Sequence, residues 1–317
     1  MKRESIAEDI GNIAKEHKHV AILFSGGKDS TALTFGLLNA FIRNKHKPEK
    51  VWIIYANTLV EPPPLLRVAQ KSLQIFKELG TQIGIPVIPK MLIPPIKDRF
   101  WVLLIGKGYP PPSVRFRWCS ERLKIRPVKR FLKYVKETEG KFPLVLSGVR
   151  LNEGDNRKNN LSKRLLNGKW MKYEGLRECL VYAPLLNWSS NEVWKYIGYN
   201  EAKWQVSMGH LKDLYSVTFD KANSFRTGCW VCTLIRRDQS LEKLASRDLD
   251  LIPLIKFRKF LQEIRDSKEL REKVEKNGRS YLGPLNMETR RKILGALEEI
   301  YELPPEERKV IYEIWRS

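Results

Sequence analysis

His19-Val20-Ala21-Ile22-Leu23-Phe24, followed at once by Ser25-Gly26-Gly27-Lys28-Asp29-Ser30 and then by Thr31 to Ile42, is the stretch that decides the fold. The apolar run reads as a strand buried on both faces. The two glycines allow a tight turn and let backbone come close to a ligand. The helical stretch after them offers free N–H groups and the positive end of a dipole, which together hold an anion. Ser25 and Ser30 add hydroxyls, and Lys28 adds a charge suited to phosphate. The spacing of a Walker A loop is absent. An ordinary strand–turn–helix connection with a serine or aspartate cap is the plainer alternative. The complete six-residue string in this setting favours a phosphate-binding loop.

The pattern repeats outward from this turn. Residues 3–17 read as an amphipathic helix with Ile6, Ile10 and Ile13 on one face. Apolar runs at 51–56, 86–92 and 144–147 predict strands, with a further one at 181–185. Helical patterns fill 65–79, 97–105 and 120–137, the first opened by Pro62-Pro63-Pro64, as proline allows only at a helix start. Ser189 and Glu192 have the spacing of a capping box, and Trp194 is read as a core residue. Strands alternating with helices argue for βαβ units and a parallel sheet. Near Tyr199 the pattern changes. Residues 200–240 are polar and irregular and carry a Cys-x-x-Cys, and 241–317 read as helices only. An α/β domain is therefore expected over 1–200, and a smaller helical domain over 201–317.

The 317 residues include 58 Lys and Arg against 36 Asp and Glu, a formal net charge of +22. Such an excess suggests a polyanionic partner: nucleic acid, a membrane surface or a phosphate-rich substrate. Hydrophobic residues at 42% and charged residues at 30% fit a soluble globular protein. Four cysteines are too few for a disulfide scaffold. Residues 1–20 lack the apolar stretch of a signal peptide, and no run approaches the ~18 apolar residues of a membrane span. A cytoplasmic protein is expected, with no membrane partner.

The string Ser25–Ser30 resembles the pyrophosphate loop of the ATP pyrophosphatase (PP-loop) superfamily. Its members bind ATP on a doubly wound sheet and split it to AMP and pyrophosphate while adenylating a substrate oxygen. Four further stretches are similar to its phosphoadenosine phosphosulfate (PAPS) reductase-like branch, and within that branch to the DndC family of DNA phosphorothioation sulfurtransferases. They are Asn57-Thr58-Leu59-Val60-Glu61, Trp118-Cys119-Ser120-Glu121-Arg122-Leu123-Lys124-Ile125, Gly148–Arg157 and Gly228-Cys229-Trp230-Val231-Cys232-Thr233. Asn57 stands where that family has aspartate, and Gly154 where it has serine; each change removes a polar or charged group. Tyr182-Ala183-Pro184-Leu185 with Trp188–Trp194 resembles a stretch that closes the core domain. The resemblance spans roughly residues 20–240. It implies an adenine nucleotide alpha hydrolase-like fold: α/β, with a doubly wound, mostly parallel sheet. It implies ATP with Mg2+ held by Ser25, Gly26, Gly27, Lys28, Asp29 and Ser30, with Asn57 and Glu153. Lys28, Arg150 and Arg157 would neutralise charge during catalysis.

A Cys-x-x-Cys by itself leaves open a redox pair, a zinc half-site or iron–sulfur ligation. No thioredoxin-like strand–helix setting surrounds it, and His210 is the only histidine nearby. The resemblance implies a [4Fe–4S] cluster on Cys119, Cys229 and Cys232. Cys179 is either the fourth ligand or a buried apolar residue, in which case one iron is open.

Basic residues gather in two stretches, Arg115 to Arg130 and Arg150 to Lys172. Such groups neutralise phosphates with strong salt dependence and no sequence reading; a solvated charged face is the simpler alternative for 122–136. Trp170 and Tyr173 are candidates for stacking on bases. The function expected is an ATP-dependent sulfurtransferase acting on nucleic acid, DNA backbone phosphate first and tRNA second. A cysteine desulfurase would donate sulfur, and other phosphorothioation-system proteins would be partners. A PAPS or adenylylsulfate reductase is the oxidoreductase alternative. PAPS reductases carry a catalytic cysteine in a C-terminal tail, whereas no cysteine follows Cys232 here. A nucleotide-gated DNA-binding subunit is the non-enzymatic one.

Overall fold

The computed structural model describes residues 2–44, 47–153, 159, 161–216, 228–277 and 279–317. A six-stranded sheet organises the first part. In chain order its strands are β1 (His19–Phe24), β2 (Lys50–Ala56), β3 (Val87–Leu92), β4 (Leu144–Ser147), β5 (Trp170–Tyr173) and β6 (Leu176–Tyr182). Their spatial order is β3-β2-β1-β4-β6-β5. All neighbours are parallel except β5, which runs antiparallel to β6. The protein is thus an α/β, doubly wound fold.

Burial explains the composition of the strands. In β1, β2 and β4 nearly every residue is buried, so both faces of the central sheet are covered and the sequence runs apolar without alternation. β3 lies at the edge, is largely exposed beyond Val87 and tolerates Pro89 there. Helix α1 (Lys2–Ala14) lays Ile6 and Ile10 against α2 (Lys28–Arg43), where Gly36 leaves room for both side chains. Helix α3 (Pro63–Gln82) starts on two prolines, and Ser189 with Glu192 forms a complete capping box at the helix Ser190–Trp204. Trp194 is half-buried, its ring edge-on to Tyr215 at 4.9 Å, rather than deep in the core.

The sequence pattern placed a boundary near residue 200. The compact units are instead interleaved along the chain. One comprises Met1–Ala56, Pro63–Leu92 and Val128–Ser224, and the other Asn57–Pro62, Ile93–Pro127 and Phe225–Ser317. The helical expectation for 241–317 also needs correction. Arg271–Lys276 and Arg279–Leu285 form an antiparallel hairpin, β7 and β8, amid helices at Gln239–Ala245, Ile252–Asp266, Met287–Glu298 and Pro305–Arg316. The expected helix at 97–105 is a short 3-10 turn, Ile96–Asp98, then a π-helical turn, Val102–Gly106. The one at 120–137 begins with a π-helical turn, Ser120–Ile125, before α4 (Arg126–Glu139).

Candidate functional site

Two clusters stand out, one in each unit. The first lies where β1 and β4, adjacent and parallel, both end at their carboxyl ends, the point at which strand order reverses in a doubly wound sheet. After Phe24 the chain turns through Gly26, whose φ of +76° suits glycine. A Cβ there would also meet the Ala69 side chain at 3.0 Å. The Ser30 hydroxyl donates to the Gly27 carbonyl at 3.0 Å and accepts from the Ser25 N–H at 3.2 Å. Ser30 therefore holds the turn together, while Ser25 is exposed. Helix α2 starts with no side-chain cap, and the Lys28 N–H donates to the Tyr215 hydroxyl at 3.2 Å.

The charges of this loop form one chain. Lys28 Nζ lies 3.0 Å from Asp29 Oδ2, and Arg150 Nε lies 2.6 Å from Asp29 Oδ1. Arg150 Nη1 also donates to the Trp188 carbonyl at 3.0 Å. Lys28 and Arg150 are both buried, and one carboxylate shared by two buried cations leaves the cluster net positive. An anion would supply the complementary charge. Gly148, at the end of β4, packs directly on this loop: a Cβ there would lie 2.9 Å from the carbonyl carbon and oxygen of Asp29. The loops after β1 and β4 therefore act as one surface.

The second cluster is built around the Cys-x-x-Cys. The Trp230 N–H donates to the Val60 carbonyl at 3.0 Å, and its ring is buried among Trp101, Phe257 and Tyr301. The Thr233 hydroxyl donates to the Pro112 carbonyl at 2.5 Å, and Arg258 Nε donates to the Cys232 carbonyl at 2.7 Å. Anchored so, the segment turns between its cysteines, with the Cys232 N–H on the Cys229 carbonyl. Asn57 is buried and its Oδ1 accepts from the Leu59 N–H at 2.9 Å, which supports Leu59 at a φ of +65°. This turn delivers Thr58, whose hydroxyl donates to Glu61 at 2.6 Å and lies 3.3 Å from Cys229 Sγ.

Cys119, half-buried, immediately precedes the π-helical turn Ser120–Ile125. Burial and then the charge of Cys232 hold its thiol above the ordinary range. Burial pushes Cys229 up to about 11, Lys124 pulls it back and Glu61 adds to the rise. Conversely, the Lys124 ammonium is favoured beyond an ordinary lysine, first by Cys229, then by Glu61, Cys119 and Cys232. Cys119 and Cys229, whose thiols burial and the neighbouring Cys232 make costly to charge, lie with Lys124 as counter-charge, a setting that a metal centre would relieve. Among the described residues no three His, Cys, Asp or Glu side chains converge as a single ion requires. Thiolate donors of this kind fit an iron–sulfur cluster or zinc.

Cys179 belongs to the other unit. It sits in β6 at 0% exposure, and burial pushes its thiol up to about 12. In the native protein iodoacetamide should leave Cys179 unmodified until the chain is unfolded, whereas the half-buried Cys119, Cys229 and Cys232 are open to modification before it; peptide mass mapping reads the order. Early labelling of Cys179 would contradict its buried setting.

Arg157 lies outside the described residues, as do Gly154 to Lys158 in general; Glu153 ends the short turn Leu151–Glu153. Within the second basic stretch Lys169 pairs with Asp9 at 2.7 Å and Arg164 with Glu174 at 3.6 Å, so only part of that charge is open. Tyr173 is buried and Trp170 packs on Tyr182 at 4.9 Å, which removes Tyr173 as a base-stacking residue. Tyr215, Gly148 and Lys124 were not singled out as site residues. No local pattern marks Tyr215, and the motif that opens at Gly148 does not disclose its contact with Asp29, because both act on the loop from far along the chain.

No helix among the described residues is long and apolar enough to cross a membrane. The chain is 27% identical to the uncharacterized protein MJ0066 of Methanocaldococcus jannaschii over 69% of this chain and 37% of that protein. It is 24% identical to the uncharacterized protein MJ0973 of the same organism, over 66% of this chain and 40% of that protein. The chain thus spans about two-fifths of the length of these curated relatives. Among solved structures it resembles the U34-tRNA thiolase NcsA from Methanococcus maripaludis with its [4Fe-4S] cluster, at a TM-score of 0.42 and 16% identity, covering 83% of this chain and 78% of that one. Residues 104–234, which include Cys119, Arg150, Cys229 and Cys232, match the family model of the phosphoadenosine phosphosulfate reductase domain.

Proposed function

We propose that this chain is an ATP-dependent sulfurtransferase that adenylates an oxygen of a nucleic acid, a DNA backbone phosphate in the first place, and replaces that oxygen with sulfur. The observation that carries this reading is the phosphate loop at the β1/β4 switch point, where buried Lys28 and Arg150 share Asp29. The loop amides, the start of α2 and Lys28 would hold the β- and γ-phosphates of ATP with its Mg2+. Ser25 to Ser30 are the primary contacts, and Asn57 and Glu153 are further candidates. A nonbridging oxygen of the acceptor attacks the α-phosphorus and pyrophosphate leaves. Lys28, Arg150 and Arg157 neutralise charge growing on the leaving group, so catalysis is chiefly positioning and electrostatics. The terminal sulfur of a cysteine-desulfurase persulfide then attacks the acceptor phosphorus, AMP departs with the original oxygen, and a thiol reductant cleaves the remaining S–S bond, which frees the carrier cysteine and leaves the phosphorothioate.

Cys119, Cys229 and Cys232 would hold a [4Fe–4S] cluster, with Cys179 as fourth ligand or one iron left open. Such a cluster, when bound, would supply sulfur or electrons to the second step. The net charge of +22 supports a nucleic-acid acceptor.

ATP–pyrophosphate exchange, measured with DNA, with tRNA and with no acceptor, tests the reading. Exchange that depends on DNA, with phosphorothioate in the digested product by mass spectrometry, is the expected result. Stimulation by tRNA alone, with a thionucleoside in the digest, would move the acceptor to tRNA. Absence of exchange under all three conditions would sink the enzymatic reading.

A further inference from the structure

Between Asp98 and Glu121 the chain carries no acidic residue, and within that interval Val114, Arg115, Phe116 and Arg117 are all exposed. Phe116 is 47% exposed and Val114 65%. An exposed phenylalanine in a loosely held loop would be unremarkable, but this loop is fixed. Pro110-Pro111-Pro112 restrict its backbone. The Ser113 N–H donates to the Phe116 carbonyl at 3.3 Å, and the Phe116 N–H returns to the Ser113 carbonyl at 3.1 Å and hydroxyl at 3.1 Å. Trp118 Nε1 donates to the Pro110 carbonyl at 2.9 Å, and the Trp118 ring stacks on Phe100 at 5.2 Å. Thr233, next to Cys232, holds the Pro112 carbonyl. The Phe116 ring lies 6.1 Å from Tyr109, tilted by 35°, which extends the aromatic surface. No described carboxylate pairs with Arg115 or Arg117.

A rigid aromatic ring kept in water between two guanidinium groups that pair with no described carboxylate has one chemistry that satisfies all its parts. An unpaired base offers a π-face to the ring, and its flanking phosphates offer charge to the arginines. A protein partner would satisfy the ring but not the uniform positive charge. We propose that Arg115-Phe116-Arg117 is a stacking platform for an unpaired nucleobase of the acceptor, with Phe116 as the stacking ring. The proposal rests on the reading that the acceptor is a nucleic acid. It places the platform two residues before Cys119 in the same unit, so a strand gripped there would be presented beside the cysteine cluster.

Fluorescence anisotropy with labelled single-stranded DNA, single-stranded RNA and the matching duplex tests it. Phe116→Ala should weaken single-strand binding by about 5- to 150-fold, the range for loss of one stacked base. It should leave duplex binding unchanged, and Phe116→Trp should restore single-strand affinity. The double variant Arg115→Ala/Arg117→Ala should flatten the single-strand salt dependence by about 0.7 for each phosphate no longer neutralised. The DNA and RNA arms identify which strand supplies the base. Unaltered single-strand affinity in Phe116→Ala, or an equal loss on duplex, would overturn the platform while leaving the nucleic-acid reading intact. A native chain that binds none of the three probes would overturn both.

Discussion

Gly148→Ala should lower acceptor-dependent ATP–pyrophosphate exchange by at least about 100-fold. A methyl group at this position would sit 2.9 Å from two backbone atoms of Asp29 and 3.1 Å from the Ser30 amide nitrogen. Backbone in the first turn of a helix cannot swing aside as a flexible side chain can, so either the start of α2 or the end of β4 must shift. A displacement near 1 Å between catalytic groups and substrate costs roughly 100-fold in rate. Overpacking adds about 1–3 kcal/mol of instability, readable as a lower Tm. The Gly198→Ala variant is the control. Nothing lies within 4 Å of a Cβ there, and the site is exposed within the helix Ser190–Trp204. Its stability should rise by about 0.5–1 kcal/mol, with unchanged exchange. Native exchange and Tm in Gly148→Ala would refute the tight coupling of the two loops.

The second large effect is expected at Cys229. Cys229→Ala, purified without oxygen, should carry iron and acid-labile sulfide only at background, and Cys119→Ala and Cys232→Ala should do the same. Ligation requires thiolates, and burial holds the Cys229 thiol protonated up to about pH 11 in the metal-free chain. Cluster assembly therefore releases protons, and reconstitution should be more complete at pH 8.5 than at pH 6.5. Full iron in Cys229→Ala would remove the cluster from the proposed chemistry. Cys179→Ala then decides the fourth position: loss of iron makes it a ligand, and full retention leaves it a core residue of β6.

How far the sequence disclosed this molecule follows from the range over which each feature is determined. The turn Ser25–Ser30 was legible because strand, glycines and helix start lie in one run and determine one another locally. The buried strands β1, β2 and β4 were legible because burial on both faces demands uninterrupted apolar residues. The hairpin β7–β8 was missed for the opposite reason. Its first strand, Arg271–Lys276, is rich in Arg, Lys and Glu, which suit a helix equally well, and its second, Arg279–Leu285, buries no continuous face that would mark a strand. The signal that marks it is Asn277-Gly278, and Asn277 indeed takes a φ of +53°. The π-helical turns were missed because they keep helical periodicity in outline while adding a residue to one turn. In the site, Lys28 and Arg150 were identified from their motifs. Their shared partner Asp29 was expected to contact ligand, and its role as the bridge between them is a tertiary fact that no spacing encodes.

The interleaving of the two units bears on how such a protein can be taken apart or can arise. The chain passes between them five times, after Ala56, Pro62, Leu92, Pro127 and Ser224. No single cut, and no one deletion in the gene, yields either unit whole. A fragment ending near residue 200 would retain the sheet yet lose Tyr215 and both cysteines of the Cys-x-x-Cys. The turn after β1 and the thiol cluster are thus inherited together, and neither can be shuffled as a cassette without rebuilding the other's chain path.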